Sequence, residues 1–321
     1  YEASIVWGYL LARTLALPSA CICTMTVGTT LGSMNELIAR SFEADAAVEA
    51  ANRWVVEQYG IDLKRESEPF FHYSRDLNIV TTCHQFNPQP YHRHAPLKVA
   101  PTSFLFVGPM MARQHIISSA TAFVDEATIL PKLRAASKAG GPSSHKRVIY
   151  LSLGTIVVEE YYHIFHLCLR WLFAALFRAF GPREEEYILV AVIGRLEPMR
   201  QLVAQLGSAI PANVELRRRV DQLEVLPWCD LFITHGGNNS VNEALHMGIP
   251  MLCIPFFGDQ TENSERVAAI GCGKTITHIK RRPTWYVRPR RVRACVRGCA
   301  WCAHIPTTES CVDAARLQDE G

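Results

Sequence analysis

Residues 230–260, DLFITHGGNNSVNEALHMGIPMLCIPFFGDQ, constrain what this chain can fold into more than any other stretch. Residues 230–234 read as a short buried strand, His235-Gly236-Gly237 as a tight turn, and Ser240-Val241-Asn242-Glu243 as a capping box that opens a helix. The helix is expected to stop at Gly248. Pro250 follows, residues 251–255 supply a second apolar strand, and Asp259-Gln260 falls on the loop after it. Strand, helix and strand in this order form a parallel α/β unit, which binds ligands beyond the carboxyl ends of its strands. The two glycines let backbone approach an anion closely, and a helix start aims N–H groups and a favourable dipole at it. His235 adds a side-chain donor. Asp259 and Gln260 add a carboxylate and an amide, which pair well with vicinal hydroxyls. Capping alone explains Ser240 and Glu243 but leaves His235, Asn239, Asp259 and Gln260 without a reason. The pattern describes a pocket for a nucleotide sugar.

The same segment resembles the donor-binding signature of the family 1 UDP-glycosyltransferases: THGG, two residues, Ser, two residues, Glu, then GxP and a terminal Asp-Gln. The resemblance implies that His235 contacts the diphosphate, in a cradle with Gly236 and Gly237, and that Asn239 and Ser240 contact the phosphates. It implies that Glu243 takes the ribose hydroxyls, and that Asp259 and Gln260 hold hydroxyls of the transferred sugar. Residues 213–226, NVELRRRVDQLEVL, resemble the strand and short helix of the uracil site, with Gln222 on the family's glutamine. Two departures stand out. Asp221 replaces an expected proline, and Arg219 replaces an aromatic residue that stacks on uracil. A guanidinium plane also stacks on a base; the alternative is a solvated charge in the run Arg217-Arg218-Arg219. Residues 148–155, VIYLSLGT, resemble the first strand of the same domain, whose Gly154-Thr155 turn faces the diphosphate.

Residues 1–23 read as strand end, helix and strand, and resemble the middle of the family's acceptor domain. There an aspartate just after a strand orients the catalytic histidine. Glu2 occupies that position; its alternative is a near-terminal surface glutamate. The resemblance implies that the chain begins inside this domain, with the base histidine in a stretch outside the sequence. None of the twelve histidines stands in its context. Residues 76–82, DLNIVTT, and 102–109, TSFLFVGP, resemble the last strands of that domain. His84, His92 and His94 surround a turn-rich segment but lack the second cluster that a metal site needs. Residues 40–59 carry a helical period, with Trp54, Val55 and Tyr59 as the expected apolar face.

With 321 residues and 49% hydrophobic content there is material for about two domains. The expected division is a partial acceptor-binding domain at 1–110, an interdomain linker at 111–147 marked by Gly140-Gly141-Pro142-Ser143-Ser144, a donor-binding domain at 148–280, and a basic, Cys-containing tail at 281–321 expected to be disordered. The tail holds Arg residues interleaved with Trp285 and Tyr286, yet they lie on no expected helix or strand, and no nucleic-acid partner is expected. Cys295, Cys299, Cys302 and His304 are irregularly spaced for zinc. Eleven scattered cysteines, an odd number, fit a reducing compartment, so a cytoplasmic location is expected. Residues 161–180, YYHIFHLCLRWLFAALFRAF, are nearly long enough to span a bilayer, but Arg170 and Arg178 are costly at that depth. They are expected to form the first helix of the donor domain. Trp171, Leu172, Phe173, Leu176, Phe177 and Phe180 exceed one core-facing stripe, leaving a face for peripheral membrane or partner contact, or for cover by the linker.

Taken with the motifs, the resemblance implies an α/β chain of the GT-B type: two Rossmann-like domains with parallel sheets, the N-terminal one incomplete. The implied chemistry is inverting transfer of a hexose from a UDP-sugar to a hydroxyl of a small lipophilic acceptor. UDP-glucose is the first donor, because Gln260 matches the residue associated with glucose-type donors. The UDP-sugar is a co-substrate, and neither cofactor nor metal is expected, since His235 and the helix start supply positive potential and no Asp-x-Asp motif accompanies the pocket. Two rivals differ in class: a noncatalytic UDP-sugar-binding fragment, and a GT-B nucleotide-sugar epimerase or hydrolase.

Overall fold

The computed structural model describes residues 2, 5–27, 46–66, 72–87, 104–111, 126–136, 146–160, 162–194, 201, 204 and 210–276. The 281–321 tail, the Gly140–Ser144 segment, His92 and His94 lie outside the described residues. The chain divides into two compact units, Tyr1–Ala112 with Phe257–Arg266, and Arg113–Phe256 with Val267–Gly321.

The first unit is built on a parallel sheet of β1 (Ala20–Cys23), β2 (Leu77–Val80) and β3 (Phe104–Phe106), in that order. Ala20 pairs with Leu77, and Asn78 with Phe104. Glu2 forms a parallel bridge to Ile22, so helix α1 (Val6–Thr14) is the crossover between two parallel segments. Cys21, Cys23 and Val80 pack with Val27 and Tyr73 under the sheet. Helix α2 (Ala46–Tyr59) departs from the expected face: Val55 is buried, but Trp54 and Tyr59 are half exposed, ring against ring at 5.6 Å. Asn52 turns the helix. Its side chain donates to Asp62 Oδ1 and accepts from the Leu63 N–H, both at 3.1 Å, which places Asn52 with Val55 on the inner side. Within this unit Arg266 donates to the carbonyls of Gln85 and Phe86.

The second unit holds six parallel strands: β4 (Arg147–Ser152), β5 (Tyr187–Val192), β6 (Val214–Arg217), β7 (Leu231–Thr234), β8 (Met251–Cys253) and β9 (Gly273–Thr275). Their order across the sheet is β6-β5-β4-β7-β8-β9. Counted from β4 as first, that is the doubly wound Rossmann order, which reverses direction between β4 and β7. The interior strands read as continuous apolar runs, VIYL, ILVAV and LFI, because helices cover both faces of such a sheet.

The segment read as a linker, 111–147, contains helix α3 (Glu126–Ala136), which packs on β4. Ile129, Leu133 and Ala136 recur at helical spacing and are buried, so this part of the segment expected to be an interdomain linker packs into the core of this unit. Helix α4 (Tyr162–Phe180) follows a π-helical turn, Ile156–Glu160, and crosses from β4 to β5. By length and composition it reaches the size needed to cross a membrane. Its main apolar stripe, Phe165, Leu169, Phe173, Leu176, Phe177 and Phe180, is buried in the unit, with Phe165 against Phe256 and Phe180 against Tyr187. The surplus reduces to a half-exposed row, Ile164, Leu167 and Trp171.

Candidate functional site

Neighbouring strands β4 and β7 send their crossovers to opposite edges of the sheet, so the loops at their carboxyl ends part and leave a crevice. After β4 comes Gly154, at φ +74°, a conformation that a side chain would strain. After β7 comes His235-Gly236-Gly237. A Cβ on Gly154 would lie 2.6 Å from His235 Cε1, and one on Gly237 would lie 2.4 Å from His235 Nε2. Both glycines are therefore needed for the imidazole to sit between the loops. Burial pulls the His235 pKa down to about 4, opposed in part by a hydrogen bond to backbone at Ser152. Burial thus favours the neutral imidazole, so the positive potential expected of His235 is that of an N–H dipole.

Helix α6 (Asn238–Met247) opens three residues earlier than a Ser240 cap, with Val241 as first helical residue, would place it, and its N-cap is Gly237, whose hydrogen side chain caps nothing. The expected capping box is thus absent. The Asn-rich first turn holds itself: buried Asn242 donates from Nδ2 to the Asn238 carbonyl at 2.9 Å and to Asn238 Oδ1 at 3.0 Å. No side chain caps this N-terminus, which follows the carboxyl end of β7. At the other end Gly248, at φ +69°, closes the helix in the left-handed conformation, as the sequence pattern requires.

Ser240 and Glu243 face a different partner. Gln222 Nε2 donates to Glu243 Oε2 and, at 3.2 Å, to Ser240 Oγ, while Gln222 Oε1 accepts from the Tyr150 hydroxyl at 3.3 Å. Burial raises the Glu243 pKa, and the Gln222 hydrogen bond acts against that shift. Asp221, in place of the expected proline, caps the short helix α5 (Gln222–Val225) by accepting from the N–H groups of Leu223 and Glu224. It thereby presents Gln222 at the first helical position. Asp230 ties β7 to β4: its Oδ2 accepts from the Val148 N–H and its own N–H donates to the Val148 carbonyl, both at 2.8 Å.

The structure therefore brings together Gly154, His235, Gly236 and Gly237 as one group and Gln222, Ser240 and Glu243 as another. Thr155, Arg219 and Asn239 are exposed on the same unit. Glu2 lies in the first unit, where its Oε1 accepts from the Thr24 hydroxyl at 3.0 Å. Asp259 and Gln260 also group with that unit, at the start of helix α7 (Gln260–Ala269). Asn263 Nδ2 donates to Asp259 Oδ2 at 2.8 Å, and Gln260 Oε1 accepts from the Phe257 N–H at 3.1 Å. His84 lies edge-on to Phe106, and His72 is buried beside Tyr9 with a lowered pKa caused by that burial. Among the described residues, no group of three or more His, Cys, Asp or Glu side chains is placed to hold a metal ion. Tyr150, Asp230, Asn238 and Asn242 escaped the sequence reading. A signal for Tyr150 existed, since a hydroxyl inside the aliphatic strand VIYLS must find a partner.

Residues 207–281 match the family described as UDP-glucoronosyl and UDP-glucosyl transferase. An NDP-glycosyltransferase of Bacillus licheniformis, YjiC, is 28% identical over 235 residues, 69% of this chain and 49% of its own length. UDP-glucuronosyltransferase 3A1 of Mus musculus is 49% identical over 70 residues, 21% of this chain and 13% of that protein. The chain thus spans about half the length, or less, of these two relatives. Among solved structures, the glycotransferase of kitacinnamycin superposes with a TM-score of 0.61 at 23% identity, over 94% of this chain and 66% of that one, a likeness of fold. The six-stranded Rossmann sheet and the superposition agree on a GT-B fold, and residues 207–281, which hold the strand, turn and helix at the crevice, are similar to the UDP-glucoronosyl and UDP-glucosyl transferase family.

Proposed function

We propose that the crevice between β4 and β7 binds the diphosphate of a UDP-sugar, and that the protein transfers the hexose to a hydroxyl of a small lipophilic acceptor with inversion. The observation that carries this reading is the enclosure of His235 between Gly154 and Gly237, at a helix start without a side-chain cap and at the switch point of the sheet. A neutral imidazole and helix N–H groups are fixed dipoles, suited to the charge that grows on departing UDP. They supply donors without a metal ion. Glu243, held by Gln222, is assigned to the ribose hydroxyls, and Arg219 with Gln222 to the uracil. Asp259 and Gln260 are assigned to the sugar hydroxyls, with UDP-glucose as first donor. Their support is local: Asn263 orients the Asp259 carboxylate, and the Phe257 N–H orients the Gln260 amide. Glu2 is assigned as the carboxylate partner of a base histidine that takes the acceptor's proton. The row Ile164, Leu167 and Trp171 supports a peripheral contact with a membrane or partner.

Calorimetry with UDP in a metal chelator tests the site. Binding is expected, and Glu243→Ala should weaken it by roughly 1.5–3 kcal/mol, the range of charge-assisted hydrogen bonds. Binding that appears only when magnesium is restored would overturn the metal-free cradle. Unchanged affinity in the variant would confine Glu243 to the Gln222 contact. Mass spectrometry for a hexose adduct, with UDP-glucose and a panel of hydroxylated acceptors, tests the transfer.

A further inference from the structure

We propose that Tyr150 is a positioning residue of the nucleotide site, fixing the direction of the Glu243 carboxylate through the Gln222 amide. The inference rests on the reading of this crevice as the UDP site. Tyr150 lies in the middle of β4, 1% exposed, its ring stacked on Phe232 of β7 with centroids 5.0 Å apart and planes 13° from parallel. Packing alone would be met by phenylalanine. The hydroxyl is what differs, and a buried phenol needs an acceptor. It donates to Gln222 Oε1 at 3.3 Å. Burial raises the phenol's pKa, so it keeps the proton that this bond requires.

The consequence passes through the geometry of a primary amide. An amide has one accepting oxygen and one donating nitrogen. With Oε1 held toward Tyr150, Nε2 is aimed at Ser240 Oγ and Glu243 Oε2, where it donates to both. The reverse orientation would set an amide oxygen against a carboxylate oxygen, acceptor facing acceptor. Three strand- and helix-borne groups thus agree on one orientation of Gln222, and that orientation occupies one oxygen of Glu243 and directs the carboxylate. Asp221 adds to this by capping the helix on which Gln222 sits.

A comparison of UDP with 2′-deoxyuridine diphosphate reads the direction of Glu243, because only the former presents the 2′-hydroxyl to it. Calorimetry on the full 321-residue chain is expected to show that Tyr150→Phe weakens UDP about three- to tenfold, as for one lost hydrogen bond in a network. The deoxy analogue should lose much less, so the ratio of the two affinities falls. Gln222→Met, which cuts the same connection outside the strand, should lower the ratio as well, and Tyr150→Phe added to it should lower the ratio no further. A lowered melting temperature with an unchanged ratio in Tyr150→Phe would make Tyr150 a packing residue and overturn the proposal. If Tyr150→Phe does not fold, an unchanged ratio in Gln222→Met overturns it instead. Failure of the unaltered chain to bind UDP would remove the donor-site reading, and this inference with it, a result distinct from a preserved ratio.

Discussion

The two sheets of this molecule bury their strands differently. In the second unit β4, β5 and β7 are enclosed nearly from end to end, whereas in the first unit Cys21, Cys23 and Val80 face a core while Ile22, Leu77 and Leu105 are each at least a third exposed. A strand covered on both faces tolerates a polar tip only where a partner meets it. Polar groups in the second sheet therefore mark chemistry: the Tyr150 hydroxyl leads to Gln222, and Thr234 Oγ1 accepts from the Gly236 N–H at 3.3 Å beside the cradle. In the half-covered sheet the buried polar side chain, Asn78, meets its partners in a local turn instead. The polar cluster of Ser19, Ser74 and Asn78 serves the chain turn into β2, with the Ser74 N–H donating to Asn78 Oδ1 at 2.8 Å.

Truncation of the buried helix that replaces part of the expected linker is the strongest test of this contrast. Leu133→Ala removes a fully buried side chain from α3 and should cost about 2–5 kcal/mol, read from urea unfolding of the chain. A loss under about 0.5 kcal/mol would return α3 to the status of a linker. Next in size is Gly154→Ala, which forces a side chain into φ +74° and against His235. It should cost about 1–3 kcal/mol and weaken UDP in parallel. Full retention of both would show that the β4 loop yields, and that enclosure of the imidazole is not required.

A smaller effect, common to both units, follows from one histidine in each. Burial lowers His235 to about 4 and lowers His72 from the ordinary 6.5 as well. Unfolded, both histidines take up a proton near pH 6.5; folded, they refuse it until the pH is lower. Between those values the unfolded chain binds more protons, so stability is full above about pH 7 and falls as pH drops from about 6.5 toward 4. Urea midpoints should fall across that window, and His235→Gln should flatten the slope; an unaltered slope would show that the His235 ring is not shielded from water. The smallest effect is expected at Leu105→Ala, about half exposed on the first sheet, within about 0.5 kcal/mol. A cost comparable to that of Leu133→Ala would mean that the two sheets are buried alike, and would end the contrast.

The spacing of THGG, Ser, Glu and Asp-Gln along one stretch was enough to set strand, turn, helix and strand in order. Those features follow from local periods and from residues such as Gly237 and Gly248 whose backbone behaviour depends little on distant chain. The outcomes at Trp54 and Ser240 depend on tertiary contacts. Asn52 reached across to Asp62 and rotated α2, and Asn242 bonded Asn238 and moved the start of α6. The linker became a helix because β4 offered Ile129 and Leu133 a surface. Burial where the β4 and β7 loops meet holds His235 toward its neutral form. Tyr150 and Gln222 stand 72 residues apart, and only the pairing of β4 with β7 and the α5 cap bring hydroxyl and amide together. Sequence alone determined which chemical groups the chain carries and the local elements that bear them. Which groups meet, and in what protonation state, was decided by the sheet, because burial and orientation arise from residues that no local period connects.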